Sequence, residues 1–123
     1  MMKVVLALAA AMFLAGCATW SPETKAEESV YLTLDAVDGL QTADIAHTHG
    51  CYEAESPWLL GREPSARSTS AYFAALAVAH IAITQLLVDH NAPPWTLRTW
   101  ELIGIAWNVR DVSHNAEIGI KLP

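Results

Sequence analysis

The sequence contains few charged residues, and positive charge is the scarcest. Of its 123 residues 16% are charged, with seven basic against thirteen acidic and a formal net charge of −6. No basic run is interleaved with aromatic residues, and a negative surface repels phosphate, which excludes nucleic acid as a partner. Average soluble domains carry about 25% charged residues. The low charge and 53% hydrophobic content therefore indicate a single domain with a membrane connection or heavily buried helices.

Cysteine is also scarce, and the sequence lacks the common catalytic motifs. Cys17 ends a leader, so that Cys51 is the lone thiol of the mature chain and no internal disulfide can form. The sequence has no Gly-x-Ser-x-Gly, no Walker loop, no dinucleotide glycine fingerprint and no His-Glu-x-x-His. We therefore expect a protein that is not an enzyme and has no catalytic residues.

The first 16 residues have the pattern of a bacterial lipoprotein signal peptide. Lys3 supplies the positive start, residues 4–14 form an apolar stretch too short to span a bilayer, and Leu14-Ala15-Gly16-Cys17 matches the lipobox. Cys17 is the predicted lipidation site, with several fatty acyl chains such as palmitate holding it in the membrane. Residues 17–28 are predicted to be a lipidated tether. Because Ala18 is not acidic, we expect an outer-membrane protein that faces the periplasm.

The remaining chain, residues 29–123, is predicted to be an all-α domain, a small three-helix bundle. Hydrophobic periodicity places the helices at 29–49, 71–88 and 95–112, with an irregular tail after them. The second helix has no charged residue, so it is either a membrane span or the centre of the bundle. The lipobox favours a compact, anchored bundle, because an outer-membrane lipoprotein crosses the periplasm as soluble cargo.

The faces of the first and third helices follow from residue spacing. In the first helix an apolar stripe is predicted to face the core, and it consists of Val30, Leu34, Val37 and Leu40. In the third helix Arg98 and Glu101 are three residues apart and can pair along the surface. Its tryptophans suit either a membrane interface or an ordinary core.

Metal-ligating residues concentrate at the end of the first predicted helix. His47, His49 and Cys51 offer two imidazoles and a thiol, a set that zinc or copper accepts. A fourth ligand would come from a distant histidine, either His80, His90 or His114. The alternative is that the histidines interact with the helix dipole beside a buried or reactive thiol.

His80 lies in the most apolar segment and therefore needs a polar partner. Asp38 or Asp35 of the first helix could supply a carboxylate. Such a pair either fixes the register of a bundle or handles protons, and we favour the structural role.

A pattern spanning about residues 35–90 resembles a family of small helical proteins of proteobacteria and their phages. The residues that carry it are Asp38-x-x-Gln41-Thr42-x-x-Ile45-Ala46, Glu53, Pro57, Leu59-Leu60-Gly61, Pro64-Ser65, Tyr72-Phe73 and His80. The chain departs from the family at the turn, where Ser56 replaces an asparagine. The resemblance implies a helical, membrane-associated protein and no particular reaction. Independently of the resemblance, we interpret five polar residues as a stripe with a structural role. They are Asp38, Gln41, Thr42, Glu53 and His80.

The sequence thus predicts a non-enzymatic envelope lipoprotein that acts by helix packing, with itself or with a protein partner. One alternative is a metal-binding envelope protein that uses His47, His49 and Cys51. The other is a small integral membrane protein in which residues 71–88 span the bilayer.

Overall fold

The computed structural model describes residues 19–45 and 65–120, and it consists of three helices of 24 residues each. They are α1 (Pro22–Ile45), α2 (Ala66–Asp89) and α3 (Pro94–Glu117). The predicted all-α three-helix bundle is confirmed, and α2 is the long apolar helix that the sequence indicated.

The start of α1 lies seven residues before the predicted position. Ser21 caps the helix, since its Oγ accepts a hydrogen bond from the backbone N–H of Thr24 at 3.1 Å. Ser29, where the first helix was predicted to begin, lies inside the helix and donates its hydroxyl to the carbonyl of Lys25 at 2.7 Å. The segment 22–28 therefore extends the first helix instead of serving as tether. It is polar, but it is rich in good helix formers and contains no breaker after Pro22.

A Schellman turn that leads directly into α3 ends α2. Ser65 caps the start by accepting from the backbone N–H of Ser68. At the other end, Asn91 has a φ of 52°. The N–H groups of Asn91 and Ala92 donate to the carbonyls of Val88 and Leu87.

Two prolines, Pro93 and Pro94, begin α3, a position where the missing N–H costs nothing. The helix continues to Glu117, five residues beyond its predicted end, so that the first part of the expected irregular tail is helical. Gly119 then adopts a φ of 89°, and the N–H of Ile120 donates to the carbonyl of Asn115. This is a second Schellman turn.

The chain runs up, down and up, so that α1 and α3 are parallel and α2 is antiparallel to both. At one end, the indole of Trp20 donates to Gln85 Oε1 at 2.9 Å. At the other end, Gly39 of α1 approaches Phe73 of α2. The start of α1 and the turn between α2 and α3 therefore lie at the same end of the bundle.

Polarity in the described bundle is inverted relative to that of a water-soluble protein. The buried residues are mostly polar or charged: Thr24, Glu28, Asp35, Asp38, Gln41, Thr42, Thr69, His80, Thr84, Glu101, Asn108 and Asp111. Large apolar side chains are instead exposed: Val30, Val78, Ile83, Leu86, Trp95, Leu102, Ile103, Trp107, Val109 and Ile118. The interior is thus held together chiefly by polar contacts.

The predicted inward stripe of α1 is therefore wrong. Val30 is 47% exposed, and the three other members of that stripe are only half-buried. The inner face instead repeats at alternating steps of four and three residues, the spacing of a helix seam. Its members are Thr24, Glu28, Tyr31, Asp35, Asp38 and Thr42.

The exposed face of α2 carries no charge between Arg67 and Asp89, which lie at its two ends. Of the described helices, α2 alone is long and apolar enough to cross a membrane. Only 22% of its most apolar window is buried in the bundle, whereas the central helix of a soluble protein is mostly buried.

Candidate functional site

The centre of the bundle holds three ionisable side chains, one from each helix. Glu28 of α1 and Glu101 of α3 are both 0% exposed, and His80 of α2 is 5% exposed. One ligand atom of each lies within 4.8 Å of the others. We call these three residues the central triad.

The closest contact in the central triad joins the imidazole to a carboxylate. His80 Nδ1 lies 3.0 Å from both Oε1 and Oε2 of Glu28. Proteins seldom bury a charged side chain without a partner, and this contact gives both groups one.

The hydroxyl group of Thr84 lies between the two glutamates of the triad. Thr84 Oγ1 lies 2.9 Å from Glu28 Oε2 and 3.0 Å from Glu101 Oε1. It also accepts a hydrogen bond from the indole nitrogen of Trp100 at 3.0 Å. One atom thus links side chains from all three helices.

The ring of His80 is held between two aromatic rings. Its centroid is 3.5 Å from that of Tyr31 and 4.6 Å from that of Trp100, with interplanar angles of 13° and 20°. Gly104 permits this arrangement, because a Cβ there would lie only 2.8 Å from His80 Nε2 and from Tyr31 Cδ2. The imidazole therefore has little rotational freedom.

A count of hydrogens shows that the triad is short of positive charge. The Thr84 hydroxyl has one hydrogen, so it can donate to only one of its two carboxylate neighbours. His80 Nδ1 can serve Glu28 and the hydroxyl can then serve Glu101, but the two carboxylates still exceed the one positive charge that a protonated His80 could supply, so a further proton or a cation would balance the site. Two unprotonated carboxylates without a cation would leave like charges together in a dry interior.

Two buried atoms of the triad have no hydrogen-bond partner within the described part of the chain. They are Nε2 of His80 and Oε2 of Glu101. Buried polar atoms are nearly always satisfied in folded proteins. Nε2 of His80 faces Gly104, away from the glutamates, so only Oε2 of Glu101 is consistent with a site between the carboxylates that accepts a proton or an ion.

A second polar cluster lies toward the other end, between α1 and α3. Asn115 Nδ2 donates to Asp38 Oδ1 at 2.9 Å and to Gln41 Oε1 at 3.3 Å. Gln41 Nε2 donates to the carbonyl of Val112 at 3.4 Å. Two members of the polar stripe of the sequence pattern, Asp38 and Gln41, thus fasten the end of α3 to α1.

Other predicted contacts also differ from the structure. His80 pairs with Glu28 and not with Asp35 or Asp38, which lie two or more helical turns further along α1. Arg98 lies 3.9 Å from Glu27 and does not pair with Glu101, which is buried.

Several predicted site residues lie outside the described residues. They are the lipidation site Cys17, the metal candidates His47, His49 and Cys51, and Glu53 of the polar stripe. The two distant histidines considered as fourth ligands, His90 and His114, are exposed near the ends of α2 and α3.

Sequence reasoning missed both glutamates of the triad. Glu28 was assigned to the tether and Glu101 to a surface ion pair. A signal was available: Glu28 is four residues after Thr24 and seven before Asp35, so it continues the polar stripe of the first helix. Extending that stripe backward would have brought Glu28 into the bundle.

The central triad can bind a cation, because it offers one imidazole and two carboxylates that converge from three helices. It is enclosed by the bundle, which suits an ion better than a larger substrate. The chain matches no protein-family model, no curated protein and no solved structure.

Proposed function

We propose that this chain is a lipid-anchored envelope protein whose helical bundle is seated in the bilayer, and that it acts by packing and binding instead of catalysis. The observation that carries the proposal is the inverted polarity of the bundle. Large apolar side chains are exposed chiefly on α2 and α3, and charged and polar side chains make up most of the described interior.

Water would not favour this arrangement. Burying one large apolar side chain stabilises a soluble fold by about 1.5–3 kcal/mol, and here ten such side chains stay exposed. Lipid, in contrast, accepts an apolar exterior and leaves polar residues to face the interior of the bundle. The bundle is therefore suited to lipid on its outer side.

The dimensions of the helices agree with this location. Each has 24 residues and so spans about 36 Å, against a hydrocarbon core of about 30 Å. The outward-facing hydroxyls of Ser29 and Thr33 donate to carbonyls of their own helix at 2.7 and 2.8 Å. That bonding leaves few polar groups of α1 to face the lipid.

The leader supports the lipid anchor and the envelope address. Cys17 lies five residues before Pro22, so an acylated Cys17 would hold the start of α1 close to the membrane surface. Ala18, which is not acidic, favours the outer membrane, whereas a bundle with an apolar surface does not suit transport through the periplasm as soluble cargo and favours the inner membrane. Separation of inner and outer membranes on a density gradient would test which of the two holds the protein.

The same outer surface suggests how protein partners would bind. Ala71, Ala75 and Ala79 follow one another at every fourth residue, and all three are exposed on α2. Rows of small residues allow helices to approach closely in membranes. We propose self-association, or contact with another membrane helix, along this row; crosslinking in intact membranes would detect it.

Extraction of the unlipidated protein tests the proposal. The mature chain from Ala18 onward would be exported behind an ordinary cleavable secretory leader, so that neither the lipid nor an uncleaved leader can retain it. We expect this form to stay with the membranes through alkaline carbonate and to float with lipid on a density gradient, because the bundle itself is embedded.

The matched control is the lipidated wild-type chain, which should stay with the membranes in either case. Release of the unlipidated form into the carbonate supernatant would contradict embedding. It would then favour a peripheral bundle held only by Cys17. Flotation distinguishes lipid-bound protein from aggregates, which sediment.

A further inference from the structure

The geometry points to a binding site for one divalent first-row transition-metal ion at Glu28, His80 and Glu101. The proposed ligands are Nδ1 of His80 and one carboxylate oxygen from each glutamate. This inference does not depend on the location of the protein, since the three side chains meet inside the bundle whether lipid or water surrounds it.

Convergence of the three side chains is the first support. They come from three different helices, and their ligand atoms lie within 4.8 Å of one another. All three are at least nine-tenths buried. An exposed acidic cluster would be screened by water, but these groups face only one another and the bundle interior.

Charge balance is the second support. The Thr84 hydroxyl can satisfy only one of the two carboxylates that it contacts, and Oε2 of Glu101 has no partner among the described residues. A divalent ion would neutralise both carboxylates at once. It would replace the proton between His80 Nδ1 and Glu28, because a metal ligand must be deprotonated.

Preorganisation is the third support. The stacked rings of Tyr31 and Trp100 fix the plane of the His80 imidazole, so that its Nδ1 stays directed at Glu28. The hydroxyl of Thr84 bonds to ligand carboxylates and is itself held by the indole of Trp100. Such outer contacts orient the ligands of many metal sites.

The donor set selects the class of ion. One nitrogen and two oxygens without a thiolate suit Zn²⁺ or Mn²⁺ and disfavour Cu(I), which prefers sulfur. Three protein ligands leave at least one coordination position for water or another small ligand. The site differs from the one that the sequence suggested at His47, His49 and Cys51.

Metal loading of the full-length protein, purified in detergent and stripped with a chelator, tests the site. After equilibration with Zn²⁺ and removal of free metal, we expect about one ion per chain by elemental analysis. The double variant Glu28→Gln/Glu101→Gln keeps side-chain size and hydrogen bonding but loses both charges. We expect it to retain at least about tenfold less zinc.

The matched control is Glu27→Gln, since Glu27 neighbours Glu28 in sequence but is half-buried beside Arg98 and is not one of the proposed ligands. It should bind as much zinc as the wild-type protein. Equal zinc in the double variant and the wild type would overturn the site.

The wild-type protein alone gives a second measurement, which does not depend on a variant that folds. Co²⁺ in the site should give d–d absorption bands that an equal concentration of Zn²⁺ abolishes. A stripped wild-type chain that binds neither ion would overturn the proposal and leave a proton as the counter-charge. Carbonate extraction reports separately on membrane embedding, so that failure of one proposal is distinguishable from failure of the other.

Discussion

Thr84 is the residue on which the contacts of the bundle centre converge. Its oxygen accepts from Trp100 and lies within 3.0 Å of a carboxylate oxygen of both Glu28 and Glu101. A valine of the same shape would leave all three neighbours without this partner. The most apolar helix is thus fastened to the other two by one of its few polar atoms.

Gly104 is the residue that sets how closely α3 approaches the stacked rings. We expect Gly104→Ala to destabilise the bundle, by about 1–3 kcal/mol from overpacking. A Cβ would stand 2.8 Å from atoms of both His80 and Tyr31. Neither ring can move freely, because each stacks on the other. Thermal unfolding in detergent measures the change.

Gly39→Ala is the matched control for this substitution. Both glycines lie inside helices, so alanine brings each the same gain in helix propensity, about 0.5–1 kcal/mol. At Gly39 the nearest atom is Phe73 Cγ at 3.1 Å, and the half-buried Phe73 ring can shift slightly. We expect a near-neutral effect. Equal destabilisation by both variants would show that contact with the rings is not the cause.

At the scale of the elements, α1 contributes a polar seam where a soluble helix would contribute an apolar one. The seam runs from Thr24 to Thr42 of α1. The buried polar residues of α3 are Glu101, Asn108 and Asp111. Hydrogen bonds from Asn115 and Gln41 join the two parallel helices directly at one end of the seam, and Thr84 of α2 connects them near Glu28. Loss of one such bond should destabilise only the part of the bundle near that bond.

Asn115 fastens the last turns of α3 to α1, so we expect Asn115→Ala to loosen that end. The substitution removes the donor to Asp38 Oδ1 and Gln41 Oε1. Losing hydrogen bonds to these buried acceptors, one of which is a carboxylate, costs about 1–3 kcal/mol. Hydrogen exchange should accelerate in the last two turns of α3, while exchange near Glu101 stays slow.

The matched control is Ser113→Ala, two residues away on the exposed side of α3. It should leave exchange unchanged. Uniform acceleration along the whole of α3 in the Asn115 variant would contradict local fastening and indicate global destabilisation.

At the scale of the whole molecule, the distribution of charge follows the axis of the bundle. Among the described residues, the exposed acidic and basic side chains lie within about two turns of a helix end, and Asp35, in the middle of α1, is buried. Arg110, the exposed charge furthest from an end, lies over the ring of Trp107 at 5.3 Å. Its long side chain can reach toward an interface, as arginines near membrane surfaces do.

This distribution predicts the effect of a charge placed in the middle of the outer face. Ile103 is 61% exposed and lies near the centre of α3. Ile103→Lys should cost about 2.5–3.5 kcal/mol if the face contacts lipid, against no more than about 0.5 kcal/mol at a surface in water. We expect less folded protein in membranes and faster proteolysis.

The comparison variant is His114→Lys, which places lysine on an exposed position near the end of α3. There the ammonium group can reach the interface, so the amount of protein should not change. If Ile103→Lys accumulated to the wild-type level as well, the outer face would be in contact with water.

The sequence by itself determined the number and type of elements. Hydrophobic periodicity is a local property, so it identified three helices and the apolar character of α2, and both are confirmed. The sequence also predicted that His80 needs a polar partner, but the partners that it named, Asp35 and Asp38, are wrong, since Glu28 lies against His80 instead.

Only the tertiary structure decided which face of each helix points inward. An amphipathic helix has one apolar and one polar stripe of equal period, and the period does not say which of them meets the other helices. Because we assumed an apolar core, the predicted inward face of α1 was wrong, and Glu28 and Glu101 were placed outside the core. Convergence of these two glutamates on His80 is a property of three helices together, and no single stretch of sequence contains it.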